Sequence, residues 1–219
     1  MFLDSVATLY YRRTSCKREP ATVKWIENLP EETVFFDVGA NVGAYSLIAA
    51  SQEKISKVFS FEPHFQSFYA LKKNIAINNL SEKIIAVNLA LSKKNNLDRF
   101  NHWSDYKLFE TGSSGHQFGT NIGETGQKIN INYSELILGV SLDTFCDLSE
   151  TIPTALKIDV DGIELQILKG SYNLLKNEKL KNVMIESNLG NEEIKSIMED
   201  NGFLIDSVEE HNNIFFIKK

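Results

Sequence analysis

The segment TVFFDVGANVGAYSLIAA, residues 33–50, decides how the rest of the chain is read. Thr33 to Val38 is a short run of β-branched and aromatic residues, the composition of a buried strand. A turn holding Gly39, Asn41 and Gly43 follows, and then a second apolar segment that reads as a helix. Glycine at 39 and 43 permits backbone angles and close approaches that a side chain would block. Asparagine is among the few other residues that enter the left-handed region cheaply. A strand ending in such a turn and running into a helix presents backbone amides, with the positive helix end behind them, at the carboxyl edge of a sheet.

The spacing differs from the dinucleotide fingerprint G-x-G-x-x-G. Asp37 stands two residues before Gly39, where an acid suits a ligand bearing an ammonium group better than a pyrophosphate. The plainer reading is a tight turn with an aspartate cap. The next strand, KVFSFEP, ends in Glu62, and an acid at that place accepts hydrogen bonds from both hydroxyls of a ribose. A ligand with a ribose, a purine and an amino-acid tail fits both acids, and S-adenosylmethionine is that ligand. An NAD-dependent oxidoreductase and a non-catalytic nucleotide-binding module are the alternatives on the same pattern; the off-pattern glycines argue against the first and the retained acids against the second.

From Thr33 onward strands and helices alternate. HFQSFYALKKNIAINNL carries a helical apolar stripe, and KIIAVNLAL is a third strand. TALKIDVDG is a fourth strand, followed by one helix over IELQILKGSYNLLKN; NVMIESN is a fifth. EEIKSIMEDNG is a helix with Gly202 where a C-cap belongs. FLIDSVEEHNNIFFIKK reads as two closing strands around a turn. Alternating β and α units imply a mostly parallel sheet covered on both faces, with an antiparallel hairpin at its edge. Phe35, Phe36, Phe59, Phe61, Phe65 and Phe68 read as core. Residues 1–32 read as a helical extension of a domain spanning 33–219. Between residues 92 and 133 the pattern breaks into a region rich in glycine, serine and asparagine, flanked by pieces that alternate like short antiparallel strands.

With 219 residues, 42% hydrophobic and 24% charged, the chain has the composition of one globular α/β domain. A net charge of −6 argues against a broad phosphate-binding surface. The basic cluster Arg12, Arg13, Lys17 and Arg18 reads as a solvated helix face. Cys16 and Cys146 make neither a disulfide framework nor a zinc spacing. No segment has the pattern of a signal peptide or the length of a membrane span, so a cytoplasmic, reduced setting is the expectation. The oligomeric state is open, a homodimer included.

Three segments together, FFDVGANVGAYSL, FSFEPHFQSFYALKKNIAINN and LKIDVDGIELQILKG, resemble the FkbM family of class I S-adenosylmethionine-dependent methyltransferases. The resemblance spans roughly residues 33–188. It departs mildly at Asp161, where the family pattern more often has glutamate. It implies a Rossmann-like seven-stranded sheet with a reversed final hairpin, and methyl transfer to a hydroxyl of a sugar, glycan or secondary metabolite. It further implies that Asp37, Gly39, Ala40, Asn41 and Gly43 hold the methionine portion of the cofactor, that Glu62 takes the ribose, and that Pro63 with Asn88, Leu89 and Ala90 flanks the adenine.

Methyl transfer needs in-line alignment of acceptor oxygen, methyl carbon and sulfur. A hydroxyl acceptor also gives up its proton, and a general base contributes roughly 10²–10⁴-fold. Asp159 is the expected base or acceptor anchor, because an aspartate inside an apolar strand needs a reason. Lys157 alternates onto the same face and can pair with it. Glu186, ending the fifth strand, should face the same cleft. Asp159 with Glu186 could also ligate Mg²⁺, though a metal is not the favoured expectation. Asp161 and Glu164 sit where carboxylates also suit a helix N-terminus. His102 and His116 read as exposed loop histidines. Trp103, Tyr106 and Phe118 are candidates to line an acceptor pocket. The fourth strand lacks the N-P-P-Y or D-P-P-Y tetrapeptide with which amino-methylating enzymes hold a flipped base, so nucleic acid is not the expected partner.

Overall fold

The computed structural model describes residues 1–2, 4–10, 12–102, 110–123, 126–187, 191–209 and 212–219. A seven-stranded sheet organises the chain. In chain order its members are β1 (Thr33–Val38), β2 (Ile55–Phe61), β3 (Ile84–Val87), β8 (Ala155–Ile158), β9 (Asn182–Glu186), β10 (Phe203–Glu209) and β11 (Asn213–Lys218). Their spatial order is β10-β11-β9-β8-β1-β2-β3. The first five are parallel, and β11 runs antiparallel to both β9 and β10. The mostly parallel sheet and its reversed hairpin are as expected from the sequence.

Alternation within β1 divides the core. Phe36 and Val38 face one side, toward α6 (Leu142–Ser149), α7 (Glu164–Lys169), α8 (Tyr172–Lys176) and α9 (Asn191–Asp200). Phe35 faces the other, toward α3 (Pro20–Glu27), α4 (Ala44–Ser51) and α5 (Phe65–Ile77). Both phenylalanines are fully buried, each contributing roughly 1.5–3 kcal/mol. Phe65 is a correction: it opens α5 at the surface and is exposed.

Two expected elements are divided. KIIAVNLAL ends its main-sheet pairing at Val87; Ala90–Leu91 (β4) then joins a second, four-stranded sheet. That sheet runs β4-β7-β5-β6, with β5 Asn96–His102, β6 Gln117–Phe118 and β7 Tyr133–Val140. β5 and β7 pair antiparallel, so the alternating flanks of the irregular region do form strands, and the second lies in YSELILGV rather than in the residues before it. The expected single helix after β8 is two, α7 and α8. At Gly170 the chain passes so close to another segment that a Cβ would stand 2.3 Å from the Ser92 carbonyl oxygen. The N-terminal residues form α1 (Val6–Tyr10), a 3-10 turn (Arg12–Thr14), α2 (Ser15–Arg18) and α3. Among the described residues no helix is long and apolar enough to cross a membrane.

Candidate active site

The strand order reverses between β1 and β8, and in such sheets the crevice outside the strand tips at that point receives ligands. A cavity of about 590 Å³ opens there. The β1–α4 turn forms its floor. Gly39 has φ +81°, and a Cβ on it would lie 1.8 Å from the Asp159 carbonyl oxygen, so this glycine lets the ends of β1 and β8 close on each other. Asn41 has φ +51°, with its Oδ1 accepting from Val42 N at 2.9 Å. Gly43 does not reach the cavity; it is the N-cap of α4, and a Cβ there would meet Leu71 Cδ1 at 2.5 Å.

Glu62 lines the cavity at the tip of β2. Each carboxylate oxygen accepts one backbone hydrogen bond, from Asn41 N at 2.7 Å and from His64 N at 2.8 Å. Burial pushes its carboxyl up to about 7, against the two amide bonds and the nearby Arg12 charge. Pro63, Leu89, Ala90 and Phe61 continue the wall as an apolar slot. Asn88 does not line it; its Nδ2 donates to the Glu62 carbonyl at 2.8 Å and holds that strand end in place. Ala40 borders a small adjoining recess.

Asp37 is the main correction. It lies in the interior, and its side chain is fully buried. Its Oδ2 accepts from Ser46 Oγ at 2.5 Å, and its Oδ1 is 3.6 Å from Lys157 Nζ with no hydrogen-bond partner. Desolvation raises its pKa, with Lys157 opposing. The physical reason is alternation: Asp37 follows Phe35 onto the face covered by α4, where its register partner on β8 is Lys157. Lys157 is itself fully enclosed, with Nζ 2.7 Å from Asp159 Oδ2 and 4.9 Å from the Tyr45 ring centroid. Its pKa is raised: burial is the largest influence and lowers it, but Asp159 and Asp37 together outweigh it.

Asp159 is the member of this chain that meets the cavity, its side chain 21% exposed against 0% for the other two. Burial alone would raise its carboxyl; the Lys157 ammonium and a hydrogen bond shared with Glu186 hold it down to about 2. Glu186, at the tip of β9, also lines the cavity. Burial and the adjacent Asp159 charge push it up to about 11. The two carboxyls shift in opposite directions because they share a hydrogen bond and each one's charge opposes ionisation of the other.

Residues 110–118 of the irregular region line the crevice at several positions, Gly112, Ser113 and His116 among them. Asn41 Nδ2 donates to the Ser113 carbonyl at 2.8 Å, and Gly112 N donates to Ser67 Oγ at 3.1 Å. On the opposite rim Asp161 Oδ2 accepts from Gly115 N at 2.7 Å, while its carbonyl accepts from Gln117 Nε2 at 2.6 Å. Asp161 thus fastens the cover. Glu164 ties the turn before α7, accepting from Gly162 N at 2.9 Å. Phe118 lines the cavity; Trp103 and Tyr106 lie outside the described residues. His102 and His116 are buried rather than exposed. Burial lowers the His102 pKa, with Glu135 opposing.

Arg12, Arg18, Glu19 and Tyr45 also line the cavity, and sequence reasoning missed them there. Arg12 and Arg18 stand in what read as a solvated basic face; Arg12 Nε donates to the Gly112 carbonyl at 2.9 Å. Nothing local marks Glu19, since the fold of residues 5–27 over the crevice is what brings it in. Arg13, Lys17 and Arg18 are exposed as expected, and only Arg12 of the four is half-buried.

A seven-stranded sheet of this order, with its crevice at the β1/β8 reversal, is that of a class I methyltransferase. A family model described as the methyltransferase FkbM domain matches residues 37–215, and the chain belongs to that family. Methyltransferase sdnD of Sordaria araneosa is 25% identical over 198 residues, 81% of this chain and 76% of that protein. Hexuronic acid methyltransferase AglP of Haloferax volcanii is 23% identical over 176 residues, 80% of this chain and 65% of that one. The crystal structure of methyltransferase FkbM from Methylobacillus flagellatus KT matches 98% of this chain with a TM-score of 0.57 and 17% identity; the chain spans 48% of that protein. Streptococcus pneumoniae Sp1610, solved in complex with S-adenosyl-L-methionine, matches 92% of this chain and 70% of its own with a TM-score of 0.52 and 14% identity. At such identities the likeness to solved structures concerns the fold.

Proposed function

We propose that the chain is an S-adenosylmethionine-dependent O-methyltransferase acting on a hydroxyl of a sugar, glycan or secondary metabolite. The observation that carries this is a division of labour along one cavity: Glu62, held by two backbone amides, at one end, and Asp159, paired with Lys157, beside Glu186 at the other. The cavity volume is in the range of small-molecule sites, roughly 300–1,000 Å³. The residues fit the cofactor: an acid for the ribose, an apolar slot of Phe61, Pro63, Leu89 and Ala90 for the purine, and a carboxylate toward the cationic end. Bound there, S-adenosylmethionine supplies an electrophilic methyl group on a sulfonium sulfur.

Glu62 would accept from the ribose hydroxyls while its two amide bonds keep the carboxylate from turning away. Gly39 and Asn41 line the path of the amino-acid tail; with Asp37 enclosed, Asp159 is the acid that faces its ammonium end or the acceptor. Lys157 would not touch substrate; it positions Asp159 and keeps it ionised. Asp159, held near 2, is a weak base. It serves as the anchor of an acceptor hydroxyl, orienting the oxygen for in-line attack, and would take the hydroxyl proton as the new O–C bond forms and the methyl carbon's bond to sulfur breaks, its electron pair staying on the sulfur. Asp161 and Asn41 hold the cover that excludes water. No divalent metal is needed for these roles. AglP, named a hexuronic acid methyltransferase, lends support to a saccharide acceptor. In this reading residues 33–219 are the catalytic domain, residues 1–32 an extension across its mouth, and residues 92–133 its acceptor-side cover.

Calorimetric titration with S-adenosylmethionine, and transfer of labelled methyl to a panel of saccharides, test the proposal. Binding to wild type and its loss in Glu62→Ala are expected. A wild type that binds no cofactor, or an unchanged affinity in the variant, would refute it.

A further inference from the structure

Three histidines sit together beside the cavity, and the functions above use none of them. His64 precedes α5 of the core, His102 ends β5, and His116 precedes β6. They are 1%, 0% and 9% exposed. One ring nitrogen from each lies within 4.8 Å of those of the other two. His102 Nδ1 faces His116 Nδ1 at 3.0 Å, and the His64 and His116 rings stack with centroids 4.2 Å apart.

We propose that His64, His102 and His116 bind one transition-metal dication of the zinc type, which pins the covering sheet to the core. Each ring has one nitrogen engaged on its outer side. His64 Nδ1 meets Ser67 Oγ at 3.0 Å, His102 Nε2 meets Glu135 Oε1 at 3.2 Å, and His116 Nε2 meets Ser113 Oγ at 2.8 Å. Metal-ligating histidines are oriented in this way, by an outer carboxylate or hydroxyl on the second nitrogen. The ligand atoms would be Nδ1 of His102 and of His116, which face each other, with one ring nitrogen of His64 as the third. Zinc–nitrogen bonds of about 2.0–2.1 Å in a tetrahedron put ligand atoms roughly 3.3 Å apart. One pair is already at that separation, and the widest has roughly 1.5 Å to close. Three imidazoles with no carboxylate among them favour zinc-type ions over magnesium or calcium.

Without a metal, one proton assignment satisfies the chain of contacts. His102 donates to Glu135 through Nε2, His116 donates to His102 through Nδ1, and Ser113 donates to His116 Nε2. A metal ion replaces the shared Nδ1 proton, and that proton moves to His116 Nε2, which then donates to Ser113 Oγ. The imidazoles stay neutral and no net proton is released. Because His64 belongs to the core, and His102 and His116 bracket the cover, ion binding ties the two together across the cavity wall that His116 shares. The inference rests on the geometry of these rings and not on the methyl-transfer reading.

The test uses the full chain, dialysed against chelator, verified metal-free by mass spectrometry and titrated with Co²⁺. Stoichiometric binding with the visible absorption of four-coordinate Co²⁺, displaced by Zn²⁺, is expected. His102→Ala and His116→Gln should abolish it, and Glu135→Gln should weaken it roughly 10–100-fold. Glu186→Gln should leave it unchanged, which separates this site from the Asp159–Glu186 pair. If the histidine variants fail to fold, the wild-type titration together with Glu135→Gln decides. No stoichiometric Co²⁺ binding by wild type, binding that survives in folded histidine variants, or binding lost in Glu186→Gln instead would overturn the proposal.

Discussion

Lys157→Met removes the one positive charge between two buried carboxylates while keeping a stem to pack on Tyr45. Lys157 and Asp37 are fully buried, and Nζ lies 3.6 Å from Asp37 and 2.7 Å from Asp159. Breaking a buried ion pair by deleting one partner costs about 3–5 kcal/mol. For a chain of this size that is a fall of roughly 6–20 °C in melting temperature. The loss should depend on pH with a definite sign. In wild type, Asp159 is depressed to about 2, so its contribution is present above the ordinary aspartate range and is lost only as pH falls through about 2. In the variant the ammonium no longer opposes burial, both carboxyls rise, and each penalises the folded state increasingly as pH rises from the ordinary aspartate value toward its raised one. The deficit should therefore be largest near about pH 8 and shrink toward about pH 5, where protonation relieves it. Urea denaturation of both proteins at the two pH values reads this directly. A loss below about 1 kcal/mol, or one that does not change with pH, would refute the view that Lys157 compensates buried charge.

Other substitutions probe separate parts of the site. Glu62→Gln should weaken S-adenosylmethionine binding by roughly 10- to 150-fold, the worth of a hydrogen bond to a charged group, measured by calorimetry. Gly39→Ala should cost more than about 3 kcal/mol in denaturant titration, because φ +81° disfavours a side chain and its Cβ would overlap the Asp159 carbonyl. Asp161→Ala should cost less than about 1.5 kcal/mol in stability yet speed proteolysis within residues 110–118, because it removes the carboxylate that accepts from Gly115 N, while the bond from Gln117 Nε2 to the backbone carbonyl remains. Asp159→Asn should abolish labelled methyl transfer at some cost in stability, since Lys157 keeps only Asp37 as a carboxylate partner; Glu186→Gln, an isostere of the protonated acid, should retain cofactor binding.

The sequence by itself determined the sheet, the turn and the pair of strand-tip acids Glu62 and Asp159. These are local matters: β-branched and aromatic runs cannot stay in water, glycine marks a turn, and a charge inside an apolar strand demands a partner. Alternation even put Lys157 and Asp159 on one face. Only the tertiary structure decided which acids meet the cavity. Asp37 and Asp159 look equivalent along the chain, but α4 covers the first and leaves the second open, and helix placement is a long-range outcome of packing. The same holds for Glu19, Arg12 and Arg18, drawn over the crevice by the N-terminal helices, and for three histidines that contacts far apart in sequence gather into one buried cluster. Periodicity reports which face of an element is apolar; it does not carry the register between elements, and at this site that register sets the chemistry.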